Sequence, residues 1–298
     1  MQKSIVFGAN GYLGRHLVHY LQKDGHNVLA SGVRDKSIDS IVNYFKADIS
    51  YEEEVEQIDF NVDYIFVFAG LTGTNVAFDN PNKFIDVNEK GLLNILNHHR
   101  QTNSKARIIY PSTRLVYKGV KNKFLKEEDE KEALTIYAQN KLSCESYLKM
   151  YATNFDIDYS IFRVCVPYGN VFSDDYSYGT IGFFLNKAKN NQNITLFGKG
   201  EVKRTFTHVE DICLSIIETL KIQSDKNSTF NIGSKDNFSL YEVAAFFAKK
   251  YNIEIELIDW PKMALKIESG DTIFDDQKLL SLTAYQYKND LKTWLEKN

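Results

Sequence analysis

The chain has 298 residues, 43% hydrophobic and 25% charged, and its 36 basic and 39 acidic side chains leave a formal charge of −3. This composition excludes a long disordered tail, a collagen-like repeat and a disulfide scaffold. The near-neutral balance gives no general field for nucleic acid or an anionic membrane. The length suits one large domain, or a large one with a small one. Cys144, Cys165 and Cys213 lie far apart with no CxxC, which fits a reducing, cytoplasmic setting and predicts no zinc or other metal site. No charged segment leads into an apolar run at the start, so no signal peptide is expected. No apolar run approaches the ~20 residues of a membrane span.

In chain order, Lys3 to Phe7 is a β-rich run ending in Gly8. Leu13, Leu17, Tyr20 and Leu21 then recur at helical spacing. Strands are predicted at Asn27–Ser31 and Asn43–Ala47, followed by a helix opened by a Ser50–Glu53 capping box. Tyr64–Phe68 is a fully apolar strand, Asn88–His99 a helix, Ala106–Tyr110 a strand, Tyr137–Tyr151 a helix and Tyr159–Val166 a strand. Strands alternating with helices predict βαβ units and a parallel sheet covered on both faces. After about residue 168 the pieces shorten. They are a helix at Ile181–Asn190, a strand at Thr195–Phe197, a helix at Val209–Leu220, a Ser239–Glu242 capping box before a helix through Lys250, and a strand at Asn252–Ile258. A domain over 1–168 and a smaller lobe over 169–298, with segments returning to the main sheet, are expected.

Gly8, Gly11 and Gly14 fall between the first strand and the first helix, in Gly8-Ala9-Asn10-Gly11-Tyr12-Leu13-Gly14. A turn that brings backbone N–H groups and a helix N-terminus against a pyrophosphate has no room for side chains, so this run predicts dinucleotide binding. The plainer alternative is a turn that needs glycine for positive φ. An NAD-preferring fold places an acid about 20 residues on. Here the second strand ends Ala30-Ser31-Gly32-Val33-Arg34, with no acid before Asp35. Arg34 suits bidentate binding of a 2′-phosphate, so NADP(H) is favoured over NAD(H). Its alternative is a solvated loop charge. Asp48 follows the third strand and suits an adenine amino group; its alternative is a helix-entry cap.

Tyr137 and Lys141 stand four apart on one helical face. A tyrosine near pKa ~10 exchanges protons poorly at neutral pH. A neighbouring ammonium stabilises its phenolate, so the pair can serve a carbonyl or alcohol oxygen while a nicotinamide handles hydride. The strand before it ends Tyr110-Pro111-Ser112-Thr113-Arg114-Leu115-Val116-Tyr117, which offers hydroxyls to the same oxygen.

With these residues in view, the chain resembles the extended short-chain dehydrogenase/reductases that act on nucleotide sugars. The resemblance spans nearly the whole sequence. It includes the glycine run, Asp48-Ile49, Phe68-Ala69-Gly70, Asn88 to Gly91, Tyr137-Ala-Gln-Asn-Lys141, and Arg163 with Tyr168-Gly169. It continues through Gly198-Lys-Gly200, Arg204-Thr-Phe-Thr-His208-Val-Glu-Asp211 and Asn231-Ile-Gly233. It implies a Rossmann-type, doubly wound α/β sheet with a smaller α/β substrate lobe. It implies a nucleotide-sugar substrate and a homodimer through the Asn88 and Tyr137 helices. The cofactor would lie against Gly8, Asn10, Gly11, Tyr12, Leu13, Gly14, Arg34, Asp48, Ile49, Phe68, Ala69, Gly70, Asn88 and Lys141. Thr113 takes the place of the family's catalytic Ser/Thr beside Tyr137 and Lys141. Ser112, Thr113, Tyr137 and Arg204 would meet substrate, Arg204 at the diphosphate. The alternative for Arg204 is an ion pair with Glu210 or Asp211.

Departures from the family narrow the reaction. The 4,6-dehydratases carry Asp-Glu directly after the catalytic Thr, where this chain has Arg114-Leu115. GDP-fucose synthases use a Cys at the place of Leu115 and a His in the loop after Gly169, which here runs Asn170-Val-Phe-Ser-Asp-Asp-Tyr. Val166 stands where many members have Asn. What remains is an NADPH-dependent reductase of a 4-keto-6-deoxyhexose nucleotide, with an NAD-dependent 4-epimerase as the alternative and a dinucleotide-sensing module behind both. The nucleotide base, the sugar and the stereochemistry at C4 are left open. His98 and His99 are expected as cations at a helix C-terminus, and His208 as structural.

Overall fold

The structure is a computed structural model that describes residues 1–41, 43–172, 178–222 and 226–298. In chain order the strands are β1 (Lys3–Phe7), β2 (Asn27–Gly32), β3 (Tyr44–Lys46), β4 (Tyr64–Val67), β5 (Arg107–Thr113), β6 (Phe124–Leu125) and β7 (Tyr159–Val164). They continue as β8 (Val166–Tyr168), β9 (Ile194–Phe197), β10 (Lys203–His208), β11 (Ser228–Ile232), β12 (Asp236–Ser239), β13 (Ile255–Ile258) and β14 (Ile273–Phe274). The chain forms two compact units, one of Met1–Val116, Thr135–Arg163 and Leu220–Phe230, the other of Tyr117–Leu134, Val164–Thr219 and Asn231–Asn298. The division is therefore interleaved rather than a single cut at 168. Residues 117–134 fall in the second unit, and β11 returns to the sheet of the first.

That sheet has the order β11-β7-β5-β4-β1-β2-β3, and the pairs β2–β3, β1–β2, β1–β4 and β4–β5 are parallel. Every residue of β4 and β5 is buried, as expected of strands covered on both faces. One core face combines Ile5, Phe7, Ile65 and Ile108 with Leu92, Leu96 and Leu148 of the covering helices. Strand order reverses between β1 and β4, the place where a doubly wound sheet opens a crevice at its C-terminal edge.

Local differences from the sequence reading have local causes. Ser50 makes no capping box with Glu53. Its hydroxyl donates to Asp48 Oδ1, Tyr51 takes the N-cap of the short helix Glu52–Val55, and Glu54 Oε2 accepts from the Asp48 N–H. The helix predicted from Asn88 opens as a π-turn, Asp86–Lys90, and becomes α-helical over Gly91–Gln101. The run Tyr159–Val166 breaks at Cys165, so β7 and β8 join different sheets. The helix Ile136–Phe155 starts at Thr135, whose side chain accepts from the Ala138 N–H, and stops at Asp156 in the left-handed region.

The second unit holds the sheets β12-β10-β8, β13-β9 and β14-β6. The Ser239–Glu242 capping box is present at the helix Leu240–Tyr251. Asp211 is buried and accepts from the Tyr285 hydroxyl and the backbone N–H groups of Lys288 and Asn289, which fastens the C-terminal stretch. Among the described residues, no helix is long and apolar enough to cross a membrane.

Candidate active site

The glycine run occupies the β1 end of the crevice. Gly8 has φ +84°, and a Cβ there would lie 2.3 Å from the Ala69 nitrogen. A Cβ on Gly14 would lie 2.1 Å from the Gly8 carbonyl oxygen. Both positions are therefore closed to any side chain, and the β1 and β4 turns touch backbone to backbone. The helix Tyr12–Lys23 begins at Gly11 with no side-chain cap and no acid in its first turn. A helix start without a side-chain cap is the arrangement that receives an anion.

Beside this turn is a cavity of about 410 Å3. Gly8, Asn10, Gly11, Arg34, Asp48, Ile49, Phe68, Ala69 and Gly70 line it, as does the unforeseen Lys83. The bare helix end, the missing Cβ atoms and the largely apolar walls fit a dinucleotide. Tyr12, Leu13, Gly14, Asn88 and Lys141 are not among the lining residues. Asn88 acts one residue removed: its Oδ1 accepts from Leu71 N at 2.7 Å and its Nδ2 donates to Leu71 O at 3.1 Å, fixing the loop after β4. Asn10 likewise holds a loop, accepting from Ile38 N and donating to the Tyr44 hydroxyl. Arg34 is exposed at the rim, and its carbonyl accepts from that same hydroxyl. Asp48 accepts from Ser50 N–H and Oγ–H, which combines the loop role with a place on the wall. Lys83 and Val87 reach the wall from the short helix Pro81–Ile85 and the π-turn. Neither element has a periodic pattern long enough to flag them.

Tyr137 is half-buried in the first turn of its helix. Lys141, one turn on, is only 6% exposed. Its Nζ donates to the Pro111 carbonyl at 2.7 Å and lies 4.4 Å over the Tyr110 ring. Burial lowers its pKa from 10.5 to about 8, against the opposing influence of Cys144 and Glu145. Thr113 ends β5, and its Oγ1 accepts from Leu115 N at 3.3 Å.

Two expectations need correction. Ser112, read as a substrate contact, instead donates to the buried Glu145 Oε1 at 2.6 Å, because alternate residues of a strand face opposite ways. His98 and His99 stand in the last turn of their helix as expected, but both are buried, and each Nε2–H donates to a carbonyl, of Ile58 and Ala106 respectively. Burial lowers the pKa of His99. Arg204, in the second unit, is 2% exposed. Its guanidinium donates to Glu268 Oε1 and to the carbonyls of Gly270 and Lys203, rather than to Glu210 or Asp211. His208 packs edge-on against Tyr168 and fills the space a Cβ on Gly169 would need. Residues 173–176 of the loop beginning at Asn170 lie outside the described residues.

Comparison with known proteins agrees with this geometry. The pattern of the NAD dependent epimerase/dehydratase family matches residues 4–233. CDP-paratose 2-epimerase of Salmonella typhi is 27% identical, over 99% of this chain and 97% of its own. The UDP-glucose 4-epimerase of Thermotoga maritima, solved with UDP-glucose, superposes with a TM-score of 0.87 at 22% identity, covering 99% of this chain and 96% of that one. The UDP-glucose 4-epimerase of Thermus thermophilus, solved with NAD, gives 0.86 at 19% identity, covering 98% and 96%. With the glycine turn, the Tyr137–Lys141 pair and three quarters of its length within the family pattern, the chain belongs to the NAD dependent epimerase/dehydratase family, enzymes of the extended short-chain dehydrogenase/reductase type.

Proposed function

We propose that the enzyme exchanges hydride at C4 of a nucleotide-linked hexose, and that it does so as a 4-epimerase. The observation that carries the reading is Lys141. It is buried one helical turn after Tyr137 and tied to the carbonyl of Pro111, two residues before Thr113. When bound, the nicotinamide dinucleotide supplies the acceptor and donor of hydride. Tyr137 takes the C4 hydroxyl proton and later returns it. The Lys141 ammonium, one helical turn on, lowers the cost of the Tyr137 phenolate. Thr113 hydrogen-bonds the same sugar oxygen. The names of the relatives weigh toward epimerisation, and one of the two solved 4-epimerases holds NAD. Arg114-Leu115, in place of an acid pair after Thr113, speaks against dehydration.

One observation favours a second reading, the NADPH-dependent reduction of a 4-keto-6-deoxyhexose nucleotide. Gly32, Val33 and Arg34 line the cavity where an acid for the ribose of NAD would stand. In either reading, sugar-nucleotide selection is assigned to the second unit, including Arg204 and residues 180–197. A diphosphate contact would require Arg204 to exchange Glu268 for phosphate. A cytoplasmic homodimer through the helices Gly91–Gln101 and Ile136–Phe155 belongs to the same proposal, and light scattering that finds only monomer counts against it.

The deciding experiment is to purify the protein and identify what it carries. Retained NAD, with interconversion of UDP-glucose and UDP-galactose in the absence of added cofactor, supports the epimerase. An empty protein that consumes NADPH only when given a 4-keto-6-deoxyhexose nucleotide supports the reductase. Tyr137→Phe lowers turnover about 10²- to 10⁴-fold in both cases; undiminished turnover refutes the shared chemistry.

A further inference from the structure

We propose that Glu145 is a positioning residue for the reaction: its buried carboxylate, shared by Ser112 and Arg163, locks the strand end that carries Thr113 to the helix that carries Tyr137 and Lys141. The inference rests on the roles proposed above for those three residues.

The helix Ile136–Phe155 carries Tyr137, Lys141 and Glu145 at successive i, i+4 positions, so the three form one row. Glu145 is 1% exposed. Arg163 of β7 grips it with two nitrogens, Nε to Oε1 at 2.9 Å and Nη2 to Oε2 at 2.6 Å. Ser112 of β5 donates to Oε1 at 2.6 Å. One carboxylate thus joins the helix to two neighbouring strands, and Ser112 is the residue directly before Thr113.

A second tie exists between the same elements, from Lys141 Nζ to the Pro111 carbonyl. That tie is exchangeable, because the ammonium must also serve Tyr137 and the cofactor. The Glu145 tie has no access to solvent and no competing task. It keeps the distance between Thr113 and Tyr137 constant while Lys141 changes partners. Burying such a pair brings little stability over apolar residues of equal volume, so its place here calls for a positional reason. Glu145 also adds a negative charge one turn from Lys141, which keeps the lysine protonated to higher pH. Besides Glu145 and the Tyr137 hydroxyl of the proposed mechanism, Cys144 on the same helix and Tyr110 and the Pro111 carbonyl on β5 act on that ammonium.

The test uses the full chain with its substrate and cofactor. Glu145→Gln should lower kcat about 10- to 100-fold with KM changed less than about threefold, since misplacement by an ångström has that effect on rate. The high-pH limb of kcat should move down by about half a pH unit or more. Ser112→Ala should lower kcat in the same way, and Ser112→Thr, which keeps the hydroxyl, should restore most of the loss. The double variant Glu145→Leu/Arg163→Met decides the matter even if Glu145→Gln fails to fold. A folded double variant with kcat still reduced supports positioning by the carboxylate. A folded double variant with wild-type kcat and pH profile overturns it and reduces the cluster to packing. Tyr137→Phe is the control: if that variant keeps its turnover, the error lies in the assigned chemistry rather than in Glu145.

Discussion

Glu145 in the first unit and Asp236 in the second are both nearly inaccessible carboxylates, 1% and 6% exposed, yet their proton affinities move in opposite directions. Burial pushes each upward. For Glu145 the bidentate Arg163 and the Ser112 hydroxyl outweigh burial, and its pKa falls below the usual 4.5. Asp236 accepts from the Leu291 N–H at 2.7 Å and from the Tyr168 hydroxyl at 3.4 Å, and burial dominates, lifting it to about 6. The difference teaches that a guanidinium, and not burial, decides whether an inner carboxylate stays ionised. A third case lies between. Arg204–Glu268 is also a buried arginine pair, but Glu268 keeps 20% of its side chain in solvent, so this pair is exchangeable where Glu145–Arg163 is fixed.

The largest test of that contrast is Arg163→Met. It leaves Glu145 buried without its cation and should cost about 3–5 kcal/mol at pH 7. A Glu145 pKa held low by Arg163 contributes stability above about pH 4.5 that is lost on acidification. The penalty of the variant should therefore shrink as pH falls. Urea denaturation at pH 7 and pH 4 checks both statements; an equal penalty at the two pH values breaks the comparison.

Next comes Lys141→Met. The folded pKa near 8 lies below 10.5, so the buried ammonium costs stability below pH 8, and that cost is relieved between pH 8 and 10.5. The variant should gain about 1–3 kcal/mol at pH 7 while turnover collapses, and the gain should be smaller at pH 9.5. Thermal melts at the two pH values, beside a rate assay, measure it.

Asp236→Asn should have a smaller effect. With a folded pKa of about 6 above an ordinary 3.8, the stability linked to this group is present at low pH and lost as pH rises through 6. The amide should therefore raise stability by about 1–2 kcal/mol at pH 7.5, with little gain at pH 4. Glu268→Gln sharpens the exchangeable pair. The variant keeps an acceptor for the guanidinium but removes its counter-charge, so stability should fall, by less than the about 3–5 kcal/mol of a fully enclosed pair because Glu268 is part-exposed. Affinity for a nucleoside diphosphate should rise a few-fold if Arg204 is released to bind it. Isothermal titration with UDP reads this, and unchanged or weaker binding removes Arg204 from the proposed diphosphate site.

The glycine turn was legible because it depends on contacts along a short stretch: only glycine fits at Gly8, directly after β1, and at Gly14, in the first turn of the helix that follows. The boundaries of β1 and of the helix Val209–Leu220 match their predicted ranges, since apolar periodicity and turn residues act within a few positions. The Ser239–Glu242 box was readable for the same reason, whereas Ser50 was drawn away by Asp48, a competitor two residues off. The direction of Ser112 was not legible, because its partner Glu145 lies 33 residues away. Nor was the partner of Arg204, which stands 64 residues on at Glu268 rather than at the nearby Glu210 or Asp211.

The sequence by itself determined the family, the alternating architecture, the glycine turn and the Tyr137–Lys141 spacing, all carried by residues adjacent in the chain or one helical turn apart. Tertiary structure decided which charges are paired and which titrate abnormally. It turned Ser112 to Glu145, brought Lys83 to the cavity beside the glycine turn and buried Lys141 against Pro111. Ion pairing and desolvation depend on what surrounds a group in three dimensions, and strands distant in the chain supply those surroundings.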